Sequence, residues 1–148
     1  MWGCSVASLT WNDNLDPTVE IISIQRGIID DCIKSIDRDL GDEHGSCKHI
    51  GELLNQLEQL CQLHFMYEEK LLEGLNYPAV TEQKMLHESF LRAFEPFKVE
   101  SDRCHAPSFL KDFIKLRLDF VSNMNNETMK LCDYIINSLT ADTTVGSH

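Results

Sequence analysis

The sequence has little of what would place it on nucleic acid or in a membrane. Basic residues are scarce: 13 Lys and Arg stand against 24 Asp and Glu, a net charge of −11. That balance repels phosphate backbones and anionic membrane surfaces, and no stretch gathers the basic residues onto one face. No apolar run approaches the ~20 residues that a spanning helix requires. Met1-Trp2-Gly3-Cys4 has neither the basic start nor the apolar run of a secretion signal. No segment alternates with the period of a strand, there is no internal repeat, and no segment is of low complexity. The cysteines, at 4, 32, 47, 61, 104 and 132, show no CxxC and no metal-knuckle spacing. Cys32, Cys61 and Cys132 fall on or beside apolar helix faces, so the reading is six reduced thiols in a cytoplasmic protein.

What is present is helical periodicity. At 148 residues the chain suits one domain with one core, spanning 1–148. Residues 1–16, with Trp11, Leu15 and several turn formers, read as an arm. Asp16-Pro17 suits a helix start, followed by the stripe Ile22, Arg26, Ile29, Ile33, Ile36 and Leu40, which Gly41 to Gly45 end. A second helix from about Lys48 to Leu75 is closed by Gly74, Asn76, Tyr77 and Pro78. A third starts near Ala79 or Val80, carries Val80, Gln83, His87, Phe90 and Phe94, and is ended or kinked by Pro96. After a loop from Ser101 to Pro107, the fourth carries Phe109, Phe113, Leu116, Phe120, Met124, Leu131, Ile135 and Leu139, before a tail at 140–148. These elements specify an all-α, up-down-up-down antiparallel four-helix bundle with an N-terminal arm.

Within the second stripe, His64 and Glu68 share one face of a helix. They interrupt a series of apolar positions, Ile50, Leu54, Leu57, Cys61, Leu71 and Leu75. A carboxylate in a dry core requires a partner, because an isolated buried charge costs several kcal/mol.

The arrangement resembles the bacterial hemerythrins, four-helix bundles that hold a non-haem di-iron centre and bind O2. The resemblance rests on Trp11, on HFxxEE at His64 to Glu69, on Gly74 and Tyr77-Pro78, on His87 followed by Phe90, and on Phe120 and Asn123 in the last helix. It implies a centre of five histidines, one glutamate and one aspartate, of which His64, Glu68 and His87 are retained here. The other four ligand positions hold Arg26, Gln83, Met124 and Met129. The implied pocket lining is Phe65, Phe90, Phe120, Val121 and Cys132.

Those substitutions predict a degenerate centre. Methionine thioethers match such iron poorly, and arginine stays protonated and cannot ligate. Arg26 would instead place a guanidinium where iron sits and hold Glu68 by two charge-assisted hydrogen bonds. The reading is therefore a non-catalytic binding or regulatory module with no cofactor, acting through a protein partner or self-association. The alternative is an iron- or O2-binding protein, mononuclear or di-iron, with a reduced site of His64, Glu68 and His87. Haem held by a histidine and a methionine is disfavoured by the phenylalanines on the same stripes and the lack of CxxCH. No nucleophile–base pair marks an enzyme.

Overall fold

Each apolar stripe becomes one long helix. The computed structural model describes residues 18–42 and 44–146. Its helices are α1 (Thr18–Leu40), α2 (Cys47–Gly74), α3 (Val80–Arg92) and α5 (Pro107–Gly146). Between α3 and α5 lie a short helix, α4 (Glu95–Val99), and a 3-10 turn at Ser101–Arg103. The result is an all-α antiparallel bundle, with no strand among the described residues. Pro96 sits in the first turn of α4, where its missing N–H costs nothing, and α3 has ended before it. The arm at 1–16, Trp11 and the Asp16-Pro17 start lie outside the described residues. The helix continues to Gly146, through most of the stretch expected to be a tail. No proline or internal glycine interrupts 140–145, so a formed helix can propagate through it.

The junction of α2 and α3 shows how local chemistry sets helix boundaries. Asn76 takes a left-handed φ of 54°. Tyr77 N–H donates to Leu72 O at 2.9 Å and Asn76 N–H to Glu73 O at 3.1 Å, which satisfies the carbonyls at the helix end. The Tyr134 hydroxyl donates to Leu75 O at 2.8 Å, tying this turn to α5. Asparagine tolerates that backbone region better than a residue with a plain Cβ. Asn76→Ala is thus expected to cost about 1 kcal/mol and Asn76→Gly almost nothing. Thermal melts of the two variants check this, and an alanine variant as stable as the parent would refute it.

The core falls into two apolar clusters. One runs through Ile29, Ile33, Ile36, Ile50, Leu54, Phe94, Phe113 and Phe120. The other gathers Ile22, Leu71, Leu72, Tyr77, Leu131 and Ile135. Between them each long helix contributes buried polar side chains: Arg26 from α1, His64 and Glu68 from α2, Gln83 and His87 from α3, and Glu127 and Thr128 from α5.

The expectation of six reduced cysteines is corrected. Cys47 and Cys104 are 57 positions apart in sequence, yet the fold brings their Cα atoms to 5.5 Å and they form a disulfide. Cys132 is disulfide-bonded as well, whereas Cys32 and Cys61 are free and buried. Spacing rules detect only local cysteine motifs, and this pairing is made by tertiary packing. The reduced-thiol argument for a cytoplasmic location is lost with it. Among the described residues, no helix is long and apolar enough to cross a membrane.

Candidate metal centre

Glu68 is the hub of the polar layer, and its two oxygens face different partners. Oε2 lies 3.3 Å from Arg26 Nη2 and 3.0 Å from His64 Nε2. Oε1 lies 3.5 Å from His87 Nε2, which is in turn 3.0 Å from Glu127 Oε1. The layer therefore has two halves joined by one carboxylate. The expected counter-charge pairing of Arg26 with Glu68 is present, but the double hydrogen bond is not. Arg26 Nη2 serves Glu68, while Nη1 donates to Thr128 Oγ1. Thr128 passes its own proton back to Met124 O at 2.9 Å.

Both histidines are held from behind. His64 Nδ1 is 3.2 Å from Gln25 Oε1, and His87 Nδ1 is 2.8 Å from Glu69 Oε2. The Glu69 carboxylate keeps a proton on His87 Nδ1, and both contacts turn Nε2 toward the middle of the layer, the outer support that metal-binding histidines use. Phe65 stacks on His87 with ring centroids 3.9 Å apart and planes within 6°, which fixes the imidazole. A void of about 10 Å³ is lined by Arg26, Glu68, Gln83 and Glu127 with Leu72, Tyr77 and Leu131. Gln83 Oε1 and Glu127 Oε2 are buried without hydrogen-bond partners among the described residues.

Two protons are trapped in the layer. Burial alone would drive the Glu68 carboxyl upward, but hydrogen bonds from Glu127, His64 and His87 outweigh it and hold Glu68 well below the usual carboxylate range. Burial, the Glu68 charge and the hydrogen bond to it push Glu127 up to about 8. For His87, burial works downward, but hydrogen bonds to Glu127 and Glu68 and their charges raise it to about 10. Burial lowers His64. Near neutral pH, Glu127 is a neutral acid and His87 an imidazolium, while Glu68 is ionised and His64 is a neutral imidazole.

This pattern fixes a pH dependence for the metal-free protein. Glu127 and His87 both bind their protons more tightly folded than unfolded, so their contribution is complete below the unfolded values of 4.5 and 6.5 and is lost as pH rises through about 8 and about 10. The depressed Glu68 acts oppositely: its contribution is present above 4.5 and lost only in strong acid. The urea midpoint of chelator-treated protein should therefore fall steadily from pH about 6 to about 10. His87→Gln should flatten the upper part of that decline. A midpoint constant over the range would refute the proton assignment.

Of the residues singled out in the sequence, Arg26, His64, Glu68, Gln83, His87 and Met124 are buried together, as are Phe65, Phe120 and Cys132; Phe90 is half-buried. Two are not. Met129 is 49% exposed and Val121 37% exposed, because residues 121 and 129 fall off the inward stripe of α5 set by 120, 124, 128 and 131. The inward position beside Arg26 is Thr128. Of the reduced site of His64, Glu68 and His87, His64 stands in the Arg26 half against Glu68 Oε2, while Glu68 and His87 gather with Glu127, their donor atoms all within 4.8 Å of one another. Glu127 was overlooked, although it follows Met124 by three positions on a stripe that otherwise skips a turn to Leu131.

The chain is similar to several curated bacterial proteins. Bacteriohemerythrin from Pseudomonas aeruginosa strain LESB58 is 30% identical over 95 residues, 64% of this chain and 60% of the relative. Bacteriohemerythrin from Pseudomonas paraeruginosa matches to the same extent, and that from Stenotrophomonas maltophilia is 23% identical over 94 residues. Over these 95 residues the chain is similar to the bacterial hemerythrins. It spans about 60% of the length of the curated relatives it matches. Neither a family model nor a solved structure matches it.

This relationship corrects the expectation of no cofactor, since hemerythrins are built around iron. The residues present would suit one ion. Glu68, His87 and Glu127 offer one imidazole and two carboxylates, a donor set suited to iron. The spacings of 3.0 and 3.5 Å about His87 Nε2 match neighbouring donors on an ion bound at about 2.1 Å. The unsatisfied Gln83 and Glu127 oxygens would gain a partner. The other half of this hemerythrin-like layer does not fit a second ion, because the Arg26 guanidinium stands against Glu68 Oε2.

Proposed function

We propose that this hemerythrin-like chain binds a single iron through Glu68, His87 and Glu127, with Gln83 beside them, in a binding rather than a catalytic role. The observation that carries the reading is the division of Glu68 between a guanidinium on Oε2 and the His87–Glu127 pair on Oε1. Iron held there supplies a one-electron redox couple and Lewis acidity. The chain's own residues do the rest. Arg26 balances the bridging carboxylate, Glu69 orients His87, and Phe65 shields the imidazole. Loading requires His87 and Glu127 to give up their two protons, so one dication replaces two positive charges and the layer keeps its net charge. The two voids that Glu127 lines measure about 10 Å³ each, which admits a molecule of water size, while an open cleft of about 450 Å³ reaches His87 from the Phe65 and Glu69 side.

Anaerobic loading with ferrous iron, followed by desalting and metal analysis, is expected to leave about one iron per chain. His87→Ala should retain none, and Glu69→Gln should weaken binding by about 10- to 100-fold through loss of the outer support. Two irons per chain in the parent, or retention unaffected by His87→Ala, would overturn the reading.

A further inference from the structure

At the other end of the core, away from the polar layer, Cys47, Cys104 and His105 form a second cluster of metal-capable atoms, all within 4.8 Å of one another. Three pieces of local structure build it. Ser46 caps α2, its side chain accepting from His49 N–H at 3.3 Å, so that Cys47 opens the helix. Gly51, one turn on, faces the 3-10 turn, where an added Cβ would just touch Ser101 Oγ at 3.4 Å. The turn then delivers Cys104 to Cys47, with Cα atoms 5.5 Å apart. His105 reaches back to Gly45 O, with Nε2 at 2.8 Å. Cys104 is buried, Cys47 half-buried and His105 exposed.

We propose that reduction of the Cys47–Cys104 disulfide converts this cluster into a Cys2His site for a zinc-type divalent cation. A dithiol reductant breaks the S–S bond, supplies two electrons and two protons, and leaves as its own disulfide. The two thiols then lose their protons to solvent as two metal–sulfur bonds form, and His105 adds a nitrogen. Two thiolates and an imidazole are a recurrent protein ligand set for zinc, and a fourth position stays open to water. The Cα separation suits both states, because two thiolates on one tetrahedral ion lie only about 3.8 Å apart at a metal–sulfur distance of about 2.3 Å. The start of α2 favours the Cys47 thiolate through the aligned N–H groups of the helix. The junction of α2 with the 3-10 turn is thus closed covalently when oxidised and by a metal when reduced. The site is independent of the iron reading, since it shares no residue with the polar layer.

Cobalt(II), a spectroscopic stand-in for zinc, tests this on the full chain. The protein is reduced with a dithiol, freed of it anaerobically, and titrated. One equivalent is expected to give a thiolate-to-cobalt charge-transfer band with tetrahedral visible bands, both removed by zinc. The oxidised protein should give no thiolate band, because its free thiols among the described residues, Cys32 and Cys61, are buried and belong to no cluster of metal-capable atoms. Cys47→Ser and Cys104→Ser should each abolish the tetrahedral two-thiolate spectrum, and circular dichroism reports whether they fold. His105→Ala, which leaves the disulfide intact, should bind cobalt at least about 10-fold more weakly. His87→Ala should leave the band unchanged, separating this outcome from the fate of the iron site. A reduced protein without the band, a band that survives in both serine variants, or unaltered binding by His105→Ala would each overturn the proposal.

Discussion

Replacing Arg26, Gln83 and Met124 with histidine and Thr128 with aspartate is expected to raise the iron held per chain from about one to about two. Each change acts on a buried side chain of the polar layer or its border. Arg26→His has the largest effect, because it removes the fixed positive charge 3.3 Å from Glu68 Oε2 and adds a donor beside His64. Gln83→His and Met124→His add nitrogens on the His87 side. Thr128→Asp places a carboxylate at the inward position that now accepts from Arg26. An aspartate at 129 would not serve, since that side chain is 49% exposed; the variant carrying Met129→Asp in place of Thr128→Asp is the control. Helical register sets ligand direction here more than any loop does. Metal analysis decides the matter. A quadruple variant that stays at one iron, or a parent already at two, would show that Arg26 does not exclude the second ion.

Arg26→Ala in the metal-free protein is expected to cost at least about 3 kcal/mol, because it leaves a buried carboxylate without its guanidinium. Both partners are nearly sealed from solvent, at 3% and 2% exposure, so screening does little to soften the loss. The protonated His87 near Oε1 keeps the figure toward the low end of the usual range of about 3 to 5 kcal/mol. Removing both charges together, as Arg26→Met with Glu68→Gln, should cost much less than the sum of the single changes. Urea unfolding of the four proteins gives the coupling. Single losses that add in the double variant would mean that the pair contributes nothing to stability.

The Arg26–Glu68 pair was legible before any coordinates, and the reason is local. A stripe in steps of three and four names the side chains that point inward, so one arginine among isoleucines and one carboxylate among leucines had to meet or be solvated elsewhere. The same logic reached His64, His87 and Gln83. On α5 the family pattern pairs positions 124 and 129, but five residues on a helix turn the side chain well off the stripe, and Met129 is exposed. Reading the stripe itself, 124 then 127 and 128, would have found Glu127 and Thr128.

By itself the sequence determined four amphipathic helices, the junctions near 40–48 and 74–80 to within a residue or two, and the presence of unusual polar groups on their inner faces, because periodicity, caps and turn residues act over a few positions. Only the tertiary structure decided which donors share a half of the layer, that Gln25 and Glu69 hold the two histidines from behind, and that Cys47 bonds to Cys104 across 57 positions. Those outcomes depend on how far each helix slides and rotates against its neighbours. That is set by the packing of both apolar clusters at once, and no short window of sequence contains it.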